Sequence, residues 1–376
     1  MGPSDSHSPP PSQWLFPVSA LQFTPSVATS AYTIGKELYD RARGVEFLFR
    51  LGSSLGLPSS AMFTAATWFH RFFMRFSMED YHRQDVAASC VFLATKTEEC
   101  GRKLRDVARI CQSKITGIDI AHIPTDSLYL HLSQEVEQLQ TAILLTEEVL
   151  LEAICFDFGT SSPHAELVDL FDAEQIGTRV QDYAWSIAHD SYRTPLCILF
   201  SPRVIATACY VLAQHIADGS HPASLDARIS ASPPSASLPT PPSHKPASPD
   251  ASRFAIEYFS FSETELVNVA EALSILLEFY KAQDMQTTPH VARLMTVQPP
   301  KHPMRIKLYE PFSQVSQSTI SHGVGHQTAH GRTPNSSDGG STPVKTPLRT
   351  GAHPVGEAGR TVPDTQKKTG GRLDLS

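Results

Sequence analysis

The spacing of apolar side chains along the first half of the chain predicts helices. Apolar residues recur three and four positions apart, which is the period of a helix with one buried face. The longest such run predicts a helix from about Leu132 to Phe156. Four further helices are predicted before it, over residues 27–56, 59–75, within 85–101, and over 104–115. Because no convincing strand-like alternation appears in this region, we expect an all-α domain.

A second apolar region begins at residue 159 and repeats part of the same pattern. Its segment PRVIATACYVLAQHIADG echoes the earlier DVAASCVFLATK, with small residues placed among aliphatic ones. The echo predicts a second copy of the helical bundle over residues 159–283. A Ser/Pro-rich stretch at residues 219–252, with eight prolines, interrupts this copy. We expect that stretch to be a disordered insertion on the surface.

The two ends of the chain have a different composition from its middle. Residues 1–13 and 284–376 are rich in Ser, Pro, Thr, Gly or His and poor in large apolar side chains. Such segments bury too little apolar surface to offset their ordering entropy. The sequence therefore predicts a disordered N-terminus over 1–13, a folded part over 14–283, and a disordered tail over 284–376.

Charge and motif content exclude several classes of function. The net charge is −7 and no long basic run occurs, so direct nucleic-acid binding is not expected. The six cysteines never form a CxxC pair, which argues against a zinc ribbon and fits a reducing compartment. No membrane span, signal segment, phosphate-binding loop or nucleophile motif appears, so we expect a soluble intracellular protein that is not an enzyme and needs no metal or cofactor.

One predicted helix ends in an unusual way. The stretch from Asp85 to Gly101 is small and apolar until it reaches Lys96-Thr97-Glu98-Glu99. Small residues allow a helix to have neighbours on most sides, which would place Lys96 at the rim of a core. An ammonium there needs a partner, because charge near apolar surroundings is costly when unpaired. The alternative is an ordinary cation that is favourable at a helix C-terminus.

Glu147, in the longest predicted helix, is the candidate partner for that lysine. It lies four residues after Ile143 and three before Leu150, so its neighbours on the helix surface are largely apolar. Glu147 and Glu148 together also fit a solvated face. If the two helices pack side by side, Lys96 and Glu147 form an ion pair with hydrogen-bonding capacity left for the backbone of an incoming protein.

Three strings carry a resemblance to a known family. HRFFMRFSMEDY, FLATKTEE and EEVLLEAICFDF resemble the cyclin box, over residues 14–158 well and over 159–283 loosely as a second cyclin fold. The segment WLFPVSALQFTPSV resembles the opening of transcriptional cyclins. The similarity is greatest to cyclins K and T and to the fungal-type β subunit of kinases that phosphorylate the RNA polymerase II C-terminal domain. The implied fold is two tandem cyclin-box helical bundles.

The resemblance also implies a function. A cyclin is a regulatory subunit that binds and activates a cyclin-dependent protein kinase as a heterodimer. The implied kinase-binding residues are Lys96, Glu147, Phe92, Glu98 and Glu99, with the ion pair bonded to main-chain groups before the kinase helix called αC. The implied substrate of the complex is the RNA polymerase II C-terminal domain during elongation, in the nucleus.

Some alternatives stay open at this point. The resemblance does not identify the kinase or say whether a third subunit joins. A TFIIB-like general transcription factor and a cyclin-fold scaffold that binds no kinase share the fold, although the chain lacks the zinc ribbon and basic surface of the former. In the tail, Thr342-Pro343-Val344-Lys345 and Thr346-Pro347-Leu348-Arg349 are proline-directed phosphorylation patterns. We expect the partner kinase to phosphorylate Thr342 and Thr346.

Overall fold

The fold is known here from a computed structural model. It describes residues 13–29, 32–118, 127–174, 176–218, 222–230, 250–283, 292–301 and 306–315. These residues contain helices and no strand, which confirms the all-α prediction. None of the helices found there is long and apolar enough to cross a membrane.

The helices of the N-terminal part follow the predicted order, except that two helices, α1 (Pro25–Thr29) and α2 (Ile34–Ser54), stand where one was predicted over 27–56. The others are α3 (Ser59–Phe72), α4 (Arg83–Thr97), α5 (Leu104–Thr116) and α6 (Ser127–Ala153). Most of them form one hydrophobic core, in which α4 packs against α2, α3 and α6. Every residue from Val86 to Thr95 of α4 is buried. The prediction that small residues place this helix at the centre of a bundle is therefore confirmed.

A second hydrophobic core follows in the chain. Its helices are α7 (Pro163–Ala173), α8 (Thr178–Ser191), α9 (Pro202–Ala217), α10 (Leu225–Ile229), α11 (Asp250–Tyr258), α12 (Glu263–Ala282) and α13 (Ala292–Met295). Here α9 is central and packs against α7, α8, α11 and α12. Its residues from Val204 to Gln214 are all buried, as in α4. Two tandem helical bundles are thus present, each with a small-residue helix in the middle.

A buried polar network lies where the two cores meet. The Arg41 guanidinium donates hydrogen bonds to Glu37 at 2.8 Å, to the His70 carbonyl at 3.0 Å and to the Phe73 carbonyl at 2.8 Å. His70 Nε2 lies 2.9 Å from the carbonyl oxygen of Tyr192, which follows α8. A fully buried guanidinium is stable only when its donors are satisfied in this way. The network therefore fixes α2 and α3 against the residue that ends α8.

An anchor near the start of the chain holds it against the end of the first bundle. Gln13 and Trp14 side chains each donate a hydrogen bond of 2.8 Å to Asp157. The bonds from Trp14 and Gln13 lower the pKa of Asp157. The Arg71 guanidinium stacks 4.7 Å from the Trp14 ring centre and donates to the Gly159 carbonyl at 2.9 Å. The N-terminal segment thereby contacts the turn that ends α6.

The expectation of disorder across residues 219–252 needs correction. Residues 222–230 are described and include α10, whose Leu225 and Ile229 are buried in the second core. Their spacing of four places both side chains on one face of a short helix, and the Ser224 hydroxyl caps its start. Average composition concealed this turn because prolines and serines surround it. Helix α11 also begins at Asp250, inside the predicted insertion, whereas residues 231–249 lie outside the described part.

The predicted disordered tail also begins too early. Residues 292–301 and 306–315 are described, and Leu294, Val297, Leu308, Tyr309 and Phe312 belong to the second core. The Leu308 amide donates to the Glu278 carboxylate at 2.9 Å. Apolar side chains spaced for a short helical turn are enough to hold this segment, even in a polar stretch. Residues 1–12 and 316–376 lie outside the described part.

Candidate partner-binding site

Helices α4 and α6 lie side by side along a shared contact. The Ser89 hydroxyl of α4 lies within hydrogen-bonding distance of two carbonyl oxygens, its own helix's Asp85 at 2.9 Å and Ile143 of α6 at 3.0 Å. Ile143 is fully buried, so this contact belongs to the core. Since Lys96 and Glu147 both follow it in their own helices, they meet at the end of the shared surface.

The ion pair predicted from the sequence is present. Lys96 Nζ lies 2.6 Å from Glu147 Oε1 and 2.8 Å from Oε2, and hydrogen-bond geometry is met at Oε2. The Glu147 side chain is 8% exposed, whereas that of Lys96 is 47% exposed. The alternative of a solvated face therefore does not hold for Glu147. The placement of Lys96 in the last turn of α4, also predicted, adds a favourable interaction with the helix C-terminus.

Phe92 completes a small cluster around the lysine. It lies one helical turn before Lys96, and its ring centre is 4.4 Å from Nζ. The ring is almost entirely buried, so it forms a rigid platform under the ammonium. Lys96 carries three N–H donors, and Glu147 occupies only part of that capacity. The cluster thus presents an ammonium group held from two sides and open to solvent on the third.

Glu98 and Glu99 do not join this cluster. Glu98 follows the end of α4, and its Oε1 accepts a hydrogen bond of 2.8 Å from the Thr64 hydroxyl of α3. Glu99 is exposed, and its backbone is left-handed with φ 53°, which ends the helical path. Across the described residues, no ion pair connects either carboxylate with Lys96. The five residues singled out from the sequence are therefore split, with Lys96, Glu147 and Phe92 together and the two acidic residues apart.

Leu144 is a neighbour of the cluster that the sequence reasoning missed. It lies three residues before Glu147 in α6, which places both on one side of the helix. Its side chain is 47% exposed, unusual for a large apolar residue beside a buried carboxylate. Leu144 could have been predicted by the rule that pointed to Ile143 and Leu150, since residues three or four positions from Glu147 share its side of the helix. Thr342 and Thr346, the expected phosphorylation sites, lie outside the described residues.

The site offers no grouping suited to metal chemistry. In the described ranges, no three His, Cys, Asp or Glu side chains are arranged to hold a metal ion. The chemistry available at the cluster is hydrogen bonding from a fixed cation, with apolar contact beside it.

Comparison with protein families assigns the N-terminal bundle. Residues 24–159 match the model for the cyclin N-terminal domain, a range that contains both Lys96 and Glu147. The chain is 38% identical over 205 residues to Cyclin pch1 of Schizosaccharomyces pombe, covering 54% of this chain and 57% of that protein. It is 31% identical over 202 residues to Cyclin-T1-4 of Arabidopsis thaliana, covering 54% and 37%. It is 29% identical over 205 residues to Cyclin-K of Danio rerio, covering 53% and 45%. The match thus covers a little more than half the length of Cyclin pch1 and less than half the length of the other two relatives.

A solved structure shares the fold over a longer stretch. A chain of the yeast RNA Pol II CTD kinase CTDK-1 complex superposes with a TM-score of 0.51 and 16% identity, covering 85% of this chain and 86% of that one. At that identity the likeness concerns the fold alone. The family match and the relatives named cyclin T, cyclin K and pch1 confirm the resemblance to these cyclins. Residues 24–159 thus match the cyclin N-terminal domain, and over this range the chain is similar to proteins named as cyclins.

Proposed function

We propose that this chain is the regulatory subunit of a protein kinase, binding a cyclin-dependent kinase and activating it. The observation that carries the proposal is the Lys96–Glu147 pair, in which a buried carboxylate holds a half-exposed ammonium at the edge of the first bundle. Donors held in place in this way lose little entropy when they bind, which favours recognition of main-chain carbonyl groups on a partner. In this proposal those groups precede helix αC of the kinase.

Apolar surface beside the pair supports the same assignment. Leu144 of α6 is 47% exposed and lies one helical turn before Glu147, and exposed large apolar side chains often mark protein interaction surfaces. We propose that Leu144 packs on helix αC and keeps it in the active arrangement. The chain supplies no chemical step in this mechanism; it changes the conformational equilibrium of the kinase.

The relatives suggest which process the kinase serves. They are named cyclins T, K and pch1, and the fold neighbour comes from a complex titled as an RNA polymerase II C-terminal domain kinase. We propose that the heterodimer acts in transcription in the nucleus, and that it phosphorylates this polymerase domain during elongation. Glu98 and Glu99 remain proposed kinase contacts, at the rim of the proposed kinase-binding surface.

Co-purification of the full chain with its kinase, followed by mass spectrometry and a kinase assay, tests the proposal. We expect Lys96→Glu to lower both kinase recovery and kinase stimulation at least about tenfold. The substitution removes the N–H donors that Lys96 offers to the kinase, and it places a second carboxylate beside that of Glu147. Lys281→Glu is the matched control, since it makes the same charge change at an exposed residue of α12. Full stimulation by Lys96→Glu, with the kinase still recovered, contradicts the site assignment.

The double swap Lys96→Glu with Glu147→Lys separates the internal role of the pair from its role toward the kinase. Opposite charges face each other again in that variant, so part of any loss in the midpoint of thermal unfolding should be recovered. Kinase stimulation should stay low, because an anion now occupies the exposed position. Recovery of both properties would show that the pair acts only within this chain.

A further inference from the structure

A groove separate from the Lys96 cluster lies between the two cores. Its volume is about 440 Å³, and it is bounded by α3, α7, α8 and the segment 160–162 between the bundles. Aromatic rings and hydroxyl groups make up much of its lining, together with the side chain of Glu98. Neither Lys96 nor Glu147 lines it.

One wall of this groove is a stack of aromatic rings. Phe63 stacks on His164 with ring centres 4.3 Å apart, and on Tyr192 at 4.7 Å. Trp185 meets His164 edge-on at 4.4 Å and is 42% exposed, so it is the ring of this wall that solvent reaches most. Burial, and then the neighbouring His189, lower the pKa of His164 to about 4. The imidazole is therefore uncharged near neutral pH, and the wall as a whole is apolar and neutral.

The charge in the groove comes from Glu98. Glu98 is the one carboxylate among the described residues that line it, and the lining includes no lysine or arginine. Its Oε1 accepts the Thr64 hydroxyl at 2.8 Å, and no described residue donates to its Oε2. A carboxylate with a free oxygen and an exposed indole that line the same groove attract a cation carried on an apolar stem. The same carboxylate disfavours an anionic ligand.

We propose that this groove binds a peptide segment of a partner protein by inserting an arginine side chain between Trp185 and Glu98. Arginine fits better than lysine because its planar guanidinium stacks on an aromatic face and bonds a carboxylate through two donors. Its methylene stem packs on Val168, and the hydroxyls of the segment 160–162 meet the peptide backbone. The groove contains neither Lys96 nor Glu147, and it shares Glu98 with the proposed kinase contacts. The interaction therefore extends the binding surface of the chain beyond the ion pair.

Fluorine NMR of the full chain labelled with fluorotryptophan tests this inference. The chain contains three tryptophans, and Trp185→Phe assigns the Trp185 resonance. The probes are a capped Pro-Arg-Pro tripeptide and the same peptide with citrulline, which keeps the shape of arginine without its charge. We expect the arginine peptide to shift the Trp185 resonance and to bind at least about threefold more tightly than the citrulline peptide.

Glu98→Gln and Glu99→Gln form the matched pair of variants. We expect Glu98→Gln to weaken arginine-peptide binding about fivefold, and Glu99→Gln, one residue away and outside the groove, to leave it unchanged. Circular dichroism checks that both variants keep their helical content. Equal binding of the two peptides, an unaffected Glu98→Gln variant, or no Trp185 shift at millimolar arginine peptide overturns the proposal.

Discussion

Single residues in this protein show how burial decides which charges have consequences. Glu147 is buried and held to a half-exposed lysine, whereas Glu99, the same type of residue, is solvated. A buried carboxylate without its partner is costly, so the position of Lys96 is fixed by the core beneath it. The exposed end of that pair is the feature that makes it suitable for a second protein.

His70 gives the clearest prediction for pH dependence. Burial, and then the Arg41 guanidinium, lower the pKa of His70 to about 3 in the folded protein, against about 6.5 in an unfolded chain. Between these values the unfolded state binds the extra proton, so stability is present above about pH 6.5 and is lost as pH falls toward about 3. The contribution reaches about 1.4 kcal/mol per pH unit.

Chemical denaturation at several pH values measures this contribution. We expect His70→Gln to reduce the slope of unfolding free energy against pH between about 6 and 4 by close to one proton. Part of the dependence of unfolding free energy on pH remains in the variant, because the pKa of His164 is also lowered by burial. An unchanged slope in His70→Gln means that His70 is protonated in the folded protein.

At the scale of elements, α2 and α3 cross each other at close range in the first bundle. Gly44 of α2 lies against Phe69 of α3, and a Cβ atom placed there comes within 2.2 Å of the ring. The ring is fully buried. The missing side chain therefore permits the two helices to approach each other, which no substitution by a larger residue preserves.

Three glycine-to-alanine variants compare how much stability is lost when a Cβ atom is added at positions with different amounts of space. Gly44→Ala should lower the free energy of unfolding by about 1–3 kcal/mol, despite alanine's better helix propensity. Gly52→Ala should cost less, because its new Cβ meets the flexible Met62 side chain. Gly101→Ala is the control, since nothing lies within 4 Å of it. Urea denaturation measures all three, and equal stability of Gly44→Ala and Gly101→Ala contradicts the tight crossing.

Elements with long periodic patterns were predictable from the sequence, and short ones were not. Helix α6 followed from regular apolar spacing and α4 from a run of small apolar residues. Their shared ion pair followed from a lysine and a glutamate placed beside apolar positions. The buried turn at Leu225–Ile229 has two apolar anchors within a proline-rich stretch, too few for a periodic signal. The bond network of Arg41 with His70 spans 29 residues and depends on how α2 and α3 pack. Local spacing carries no information about such contacts.

At the scale of the whole molecule, the segment 306–315 joins parts of the chain that are far apart in sequence. Phe312 packs edge-on against Tyr39 of α2 at 5.1 Å and against Phe279 of α12 at 6.2 Å. Tyr309 packs on Phe279 at 5.6 Å. Tyr309 and Phe312 are both buried, so they cover the second core and connect it to α2. A chain that ended at the predicted boundary of 283 would leave this apolar surface open.

Truncation of the purified chain tests the role of this segment. A chain ending after residue 301 should lose at least about 3 kcal/mol of unfolding free energy, because burial of Phe312 alone is worth that much. A chain ending after residue 315 is the control, since it keeps every described contact. Phe312→Ala, compared with Phe23→Ala at a side chain that is 75% exposed, gives the same test without shortening the chain. If the chain ending at 301 has the urea midpoint of the chain ending at 315, the segment contributes nothing to stability, and the boundary predicted at 283 is the better description of the folded unit.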